Sequence, residues 1–189
     1  MDINTYKTIW KKRGYLIALP ILIAFFIKWD EIENDIMIWP IGCFLFLIGL
    51  TLRIWAQMYC GYRLKTVPKK LVIDGPYAIV RNPIYIANTL IACALIILME
   101  LIWFLPFMLI WCFLIYNIVV KYEEYRLLQR YGDLYKNYMA KVPRWIPKLP
   151  ENTKLLNINQ NRLFLLRLSI ISELHCLIFL LLPILKEIF

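Results

Sequence analysis

Apolar and polar positions alternate along this chain in long blocks rather than residue by residue. Residues 14–29, 36–57, 84–99, 101–120 and 163–185 are almost continuously apolar. A helix crosses the hydrocarbon core of a bilayer with about 20 such residues, or somewhat fewer where the bilayer is thin. The run at 14–29 is short and can kink at Pro20, and that at 36–57 carries Arg53 near its end. Only Glu100 separates 84–99 from 101–120, which predicts a tight helical hairpin. The short alternating segments of a transmembrane barrel do not occur. The pattern predicts an all-α integral membrane protein of one domain over residues 1–189. It would have about five transmembrane helices at those runs, with cytoplasmic segments at 58–83 and 121–150.

Composition agrees, and changes how the charge is read. The 189 residues are 61% hydrophobic, against roughly 45–50% in soluble domains. A soluble fold of this length could not enclose so much apolar surface. The net charge of +9 therefore points to membrane topology and anionic lipid rather than to nucleic acid, and no helix-turn-helix or zinc-finger spacing is present. Lys7, Lys11, Lys12 and Arg13 precede the first run. Asp30, Glu31, Glu33 and Asp35 follow it. Arg63, Lys65, Lys69, Lys70 and Arg81 precede the third run, and Lys121, Arg126, Arg130, Lys136, Lys141, Arg144 and Lys148 follow the fourth. The Lys/Arg bias predicts a cytoplasmic N-terminus and two cytoplasmic segments. Cys43, Cys60, Cys93, Cys112 and Cys176 are scattered without a C-x-x-C pair and read as small buried hydrophobes, not metal ligands. No metal is expected. The first apolar run ends in Lys28-Trp29-Asp30 instead of a small-residue cleavage site, so no cleavable signal is expected.

Between the runs lie the residues with chemistry. Gly75-Pro76-Tyr77 follows Asp74 and reads as a turn. Arg81-Asn82-Pro83 opens the next helix, where Pro83 suits the first turn. Arg81 at that mouth can clamp a carboxylate or anchor the helix at the interface. Glu123 and Glu124 leave the fourth run together. They read either as carboxylates that hold a cofactor's amine and ribose hydroxyls or as a solvated polar turn. Residues 121–141 mix tyrosines and charges at helical spacing, which predicts a helix at the membrane surface interrupted at Gly132. Arg144-Trp145 sits between Pro143 and Pro147, in a stiff return that would fold back over the loop holding Arg81. His175, two residues from Glu173 in the last run, reads as a functional intramembrane group or as a helix–helix hydrogen bond. No hydrolase triad, metalloprotease helix, P-loop or dinucleotide-binding glycine motif is present.

Taken in order, these blocks resemble a known family. The Gly75-Pro76-Tyr77 turn, Arg81-Asn82-Pro83 and Tyr85 come first. After the hairpin follow Glu123-Glu124 with Leu127, the tract Tyr131-Gly132, Tyr135 and Tyr138, and the return Val142-Pro143-Arg144 to Ile146-Pro147. The chain resembles the isoprenylcysteine carboxyl methyltransferases, in a bacterial or archaeal form, and more loosely the related phospholipid methyltransferases, over about residues 45–149. Arg53-Ile54-Trp55-Ala56 is similar to the end of the preceding helix in bacterial members.

The resemblance implies a small membrane enzyme that uses S-adenosyl-L-methionine without a Rossmann domain. The acceptor would be lipophilic, either a carboxylate of prenylcysteine type or a lipid amine, entering sideways between helices. The cofactor pocket would be cytoplasmic and built from Gly75, Pro76, Tyr77, Asn82, Pro83, Tyr85, Glu123 and Glu124. Arg81, Arg144 and Glu124 would serve catalysis, the arginines by placing an acid and a glutamate by taking a proton from an amine. Asn82 stands where many members have His. Ala87 stands where many have Gly, and its methyl group is expected to narrow the pocket. Two other readings stay open: an NADPH-dependent membrane reductase, and a membrane scaffold without catalysis.

Overall fold

The computed structural model describes residues 2–27, 35–60, 71–149 and 160–188. The acidic loop at 30–33 and the basic residues at 63–70 lie outside the described residues. The described chain is helical, with no strand among its residues: α1 (Ile3–Phe26), α2 (Asp35–Cys60), a single turn α3 (Pro76–Ile79), α4 (Pro83–Leu98), α5 (Leu105–Tyr131), α6 (Asp133–Lys141), α7 (Gln160–Glu173) and α8 (Leu181–Ile188). The segments Met37–Cys60, Ile102–Tyr131 and Phe164–Glu187 are long and apolar enough to cross a membrane, and Pro83–Leu98 is a shorter apolar helix. α1 is not among them; its first turns carry the basic cluster. Phe44, Leu47, Ile110, Phe113, Leu114 and Ile178 point out of the fold, as side chains facing lipid must.

α2 and α4 make the most extensive helix contact. Two glycines allow it. A Cβ at Gly42 would come within 2.6 Å of Leu98, and one at Gly49 within 2.8 Å of Ile91. Small residues let transmembrane helices approach until their backbones nearly touch. Ala87, fully buried and not on the wall of the cavity described below, faces this contact through its carbonyl, 3.1 Å from the Cβ position of Gly49. The extra methyl group expected to narrow the pocket is instead absorbed by packing.

α4 and α5 form the predicted hairpin, turning through Glu100 at φ 61°, with Glu100 N donating to Ile97 O at 2.8 Å and Leu101 N to Ile96 O at 3.2 Å. α1 lies along α5, where the Trp111 indole donates to Leu16 O at 2.8 Å. α5 runs on past the apolar run to Tyr131. Gly132 at φ 53° breaks it, and α6 follows. No neighbour would meet a Cβ at Gly132, so its backbone conformation alone calls for glycine.

The last run differs from the single helix expected over 163–185. It is α7, then a seven-residue 3-10 stretch Leu174–Leu180, then α8, where 3-10 runs seldom exceed 3–4 residues. Side chains tighten the backbone at this junction. Ser172 Oγ donates to Ser169 O at 2.9 Å, and His175 Nδ1 to Ser172 O at 2.6 Å, diverting carbonyls from the regular ladder. α7 packs on α2, and Lys186 Nζ of α8 reaches Met99 O at the hairpin turn, 2.9 Å away.

Candidate active site

A cavity of about 750 Å³ opens among α1, α2, α4, α5, α6 and the 3-10 stretch. Its size lies within the roughly 300–1,000 Å³ of small-molecule sites. Tyr77, Arg81, Asn82, Pro83, Tyr85, Glu123 and Glu124 line it, so two sequence blocks about 40 positions apart meet at one wall. Gly75, Pro76 and Arg144 are not on that wall and support it from behind.

Gly75 sits at φ 61°, and a Cβ there would lie 2.5 Å from the Tyr59 ring. Its role is to let the turn settle on α2. Tyr77 N then bonds Asp74 O at 3.3 Å. The return segment is stitched to this turn. Arg81 N donates to Pro143 O at 2.9 Å and Lys148 N to Ile79 O at 3.0 Å. The Asn82 amide donates to Arg144 O at 3.1 Å, the Tyr138 hydroxyl to Tyr77 O at 2.7 Å, and the Trp145 indole to Asn117 Oδ1 at 3.1 Å. Burial pushes the phenols of Tyr77 and Tyr138 well up, and that of Tyr135 up to about 12, helped there by the nearby Glu124 charge. All three stay protonated donors at neutral pH.

The two adjacent glutamates have different surroundings. Glu124 is buried. Arg144 grips it with both arms, Nε to Oε1 at 3.1 Å and Nη2 to Oε2 at 2.5 Å, and Arg81 Nη1 lies 3.0 Å from Oε1. Both oxygens are occupied by guanidinium groups of its own chain. Glu123 accepts from the Trp10 indole at 2.7 Å and the Tyr85 hydroxyl at 2.8 Å, both on Oε1. Among the described residues nothing donates to its Oε2. The Tyr85 ring lies against Tyr116 with centroids 4.7 Å apart. The Trp10 indole is flanked by the guanidiniums of Arg13 and Arg126, each 4.8 Å from its centroid.

Deeper in the cavity stands a second polar group that sequence reasoning did not assemble. Arg53 of α2 donates to Glu173 Oε2 of α7 at 2.6 Å and also to Asn88 Oδ1 of α4. Glu173 is 1% exposed. Gln57, one turn along α2 from Arg53, lines the cavity at 3% exposure, and its Nε2 has no partner among the described residues. Arg53 and Glu173 were each visible as charges inside apolar runs, a signal that they should be paired with each other. Trp10 carried no such signal. Glu173, His175 and Cys176 bring one potential metal-ligand atom each within 4.8 Å of one another, but the Glu173 carboxylate there is already bound by Arg53.

The family model for phospholipid methyltransferases matches residues 37–134, more than half of the chain, including α2, the α4–α5 hairpin and both glutamates. The chain is also similar to the nickel-cobalt-cadmium resistance protein NccN of Alcaligenes xylosoxydans xylosoxydans, at 25% identity over 150 residues covering 75% of this chain and 67% of that one. No solved structure matches it significantly. The chain thus belongs to the phospholipid methyltransferase family, a family of membrane methyltransferases acting on lipid-type substrates.

Proposed function

We propose that this protein transfers a methyl group from S-adenosyl-L-methionine to a lipophilic acid at the cytoplasmic face of a membrane, as a single membrane domain whose segments 58–83 and 121–150 form the site. The observation that carries this reading is Glu123, a carboxylate fixed by Trp10 and Tyr85 through one oxygen, with the other free toward a cavity of cofactor size. That oxygen suits an ammonium group or a pair of ribose hydroxyls. Tyr77 and Asn82 would flank the same ligand, and Tyr85 and Tyr116 would present aromatic faces to a sulfonium cation. Bound there, S-adenosyl-L-methionine supplies an electrophilic methyl group. The protein's part is to align the acceptor and exclude water, which agrees with the lack of a nucleophile motif.

The cavity's charge favours an acid over an amine as acceptor. Lys11, Arg13, Arg53, Arg81, Arg126 and Arg130 line it against Glu123 and Glu124, so a cationic headgroup would meet repulsion. An amine must also lose a proton before attack, and Glu124 is already held by two arginines. A carboxylate arrives ionised and needs only donors to position it. Gln57 Nε2 and Arg53 are donors on the same wall. The Lys/Arg distribution supports a cytoplasmic N-terminus and site.

Calorimetric titration of the detergent-purified protein with S-adenosyl-L-methionine and, separately, NADPH tests the reading. Saturable binding of the first alone is expected. Glu123→Gln should weaken it about tenfold or more, the scale of one charge-assisted hydrogen bond, without shifting the thermal midpoint. Binding of NADPH alone would replace this proposal with the reductase.

A further inference from the structure

The 3-10 stretch Leu174–Leu180 follows Glu173 directly. Such a helix has three residues per turn, so side chains three apart eclipse. Glu173 and Cys176 are stacked in this way, with Cys176 Sγ 3.3 Å from Glu173 Oε2. His175 stands beside them, its Nε2 3.7 Å from the same sulfur. One ligand atom from each of the three residues lies within 4.8 Å of the others. Hydrogen bonding fixes which imidazole nitrogen faces the sulfur. A carbonyl oxygen can only accept, so His175 Nδ1, 2.6 Å from Ser172 O, carries the proton. In the neutral ring Nε2 then carries the lone pair.

A carboxylate oxygen, an imidazole nitrogen and a sulfur thus converge as three electron-pair donors. The trio itself supplies a single hydrogen to hold them, the thiol proton of Cys176. A cation that replaces this proton binds all three. Zinc–sulfur and zinc–nitrogen bonds of about 2.3 and 2.0–2.1 Å at a tetrahedral angle place the two ligands about 3.6 Å apart, and sulfur and a carboxylate oxygen about 3.5 Å apart. The observed 3.7 and 3.3 Å lie close to both. Arg53 is compatible with such an ion. It donates to Oε2 at 2.6 Å, but a carboxylate has two oxygens and about four lone-pair sites, and ligating carboxylates are themselves held by outer hydrogen bonds. With Arg53 beside them, Glu173 and a Cys176 thiolate still present net negative charge. His175 and Cys176 line the cavity, which gives an ion a path and leaves a fourth position for water or an anion.

We infer that Glu173, His175 and Cys176 form a site for a divalent ion of the zinc type, borderline-soft and suited to thiolate, imidazole and carboxylate together. Mg²⁺ and Ca²⁺ prefer oxygen ligands throughout and are disfavoured. The site lies beyond the family match, which ends at residue 134. A bound ion would tie Glu173, at the end of α7, to the 3-10 stretch, while Arg53 ties the same carboxylate to α2.

The test titrates the full-length protein, purified in detergent and stripped with a chelator, with Zn²⁺ by calorimetry in buffers of different ionisation heat. Saturable binding of about one ion per chain is expected, with release of about one proton as Cys176 becomes a thiolate. Co²⁺ in place of Zn²⁺ should give a thiolate charge-transfer band in the ultraviolet and the intense visible bands of a four-coordinate ion. Cys176→Ser and His175→Gln should each weaken Zn²⁺ binding at least tenfold, beyond the lower end of what loss of an outer partner costs, and Cys176→Ser should remove the thiolate band. Cys43→Ser, at a half-buried thiol outside the trio, should change neither. Zn²⁺ should raise the thermal midpoint of the wild type and leave that of Cys176→Ser unmoved. If Cys176→Ser does not fold, His175→Gln and the Co²⁺ spectrum of the wild type decide. No saturable binding, a Co²⁺ spectrum without a thiolate band, or binding that survives the substitutions would overturn the inference and leave the trio a hydrogen-bonded helix junction. Methyl transfer is not assumed, so the cofactor titration is read independently.

Discussion

Two arginine–carboxylate assemblies tie distant parts of this molecule together, and they differ in how deeply the carboxylate is buried. Where α5 leaves its apolar run Glu124 is shared by Arg81 and Arg144, with the Arg144 side chain one-third exposed. Inside the helices Arg53 is shared by Asn88 and Glu173, whose side chain is 1% exposed. The outer clasp closes a loop onto a helix end, where water can compensate for a lost partner. The inner one joins α2, α4 and α7 around a Glu173 carboxylate that is 1% exposed, so a lost cation there is harder to replace. Similar chemistry should therefore tolerate damage very differently.

The largest effect is expected from Arg53→Ala. It strands Glu173 without its cation, and removal of one partner from a buried pair costs about 3–5 kcal/mol. Yield of folded protein and its thermal midpoint should collapse, and Arg53→Ala/Glu173→Ala should recover part of the loss. If the single variant melts like wild type, the inner assembly is not a structural tie. Glu124→Ala comes next. It leaves two guanidiniums facing each other, but the partly exposed Arg144 can turn to water, so a cost toward the lower end of that range, about 3 kcal/mol, is expected. Proteolysis within 142–148 should accelerate while α2–α4 packing survives. Glu124→Ala should also abolish methyl transfer, because Arg81 loses its anchor at the cavity wall.

Gly75→Ala probes the clasp without touching charge. It forces a Cβ onto the Tyr59 ring in a left-handed backbone, a strain of about 1–3 kcal/mol, and should lower the thermal midpoint less than Glu124→Ala. The gentlest probe is pH. The folded Tyr135 phenol lies near 12, above the ordinary value of about 10. Below pH 10 both folded and unfolded chains keep the proton, and the contribution to stability is full. From pH 10 to 12 the unfolded chain loses it first, so stability falls as pH rises. Thermal melts should show no pH dependence from this group between pH 7 and 9 and a decline above 10. A decline confined to lower pH would show that the tyrosines at the clasp are not held protonated by burial.

The two assemblies were also unequally legible in the sequence. Arg81, Glu124 and Arg144 stand in motifs whose order is informative, so their convergence was expected, with the return segment lying over the loop. Their division of labour was not expected. Glu123 and Glu124 are identical as letters, and only the surroundings commit Glu124 to two arginines while leaving one oxygen of Glu123 open. Arg53 and Glu173 are separated by 120 positions and belong to no shared motif. Trp10 sits in a basic stretch that spoke only to topology, yet its indole donates to the Glu123 carboxylate.

By itself the sequence determined the helical class, the hairpin at Glu100, the break at Gly132 and part of the polar wall, from Tyr77, Asn82, Pro83 and Tyr85 to the two glutamates. Each follows from local rules: the length of an apolar run, one residue at positive φ, a proline at a helix start. Tertiary structure alone decided which glutamate is committed to two arginines, that the methyl group of Ala87 disappears into helix packing, that the last apolar run tightens into a 3-10 stretch, and that this stretch lines the cavity. Those outcomes depend on contacts between residues far apart in the chain, and there burial rather than residue type sets what a charged group can do.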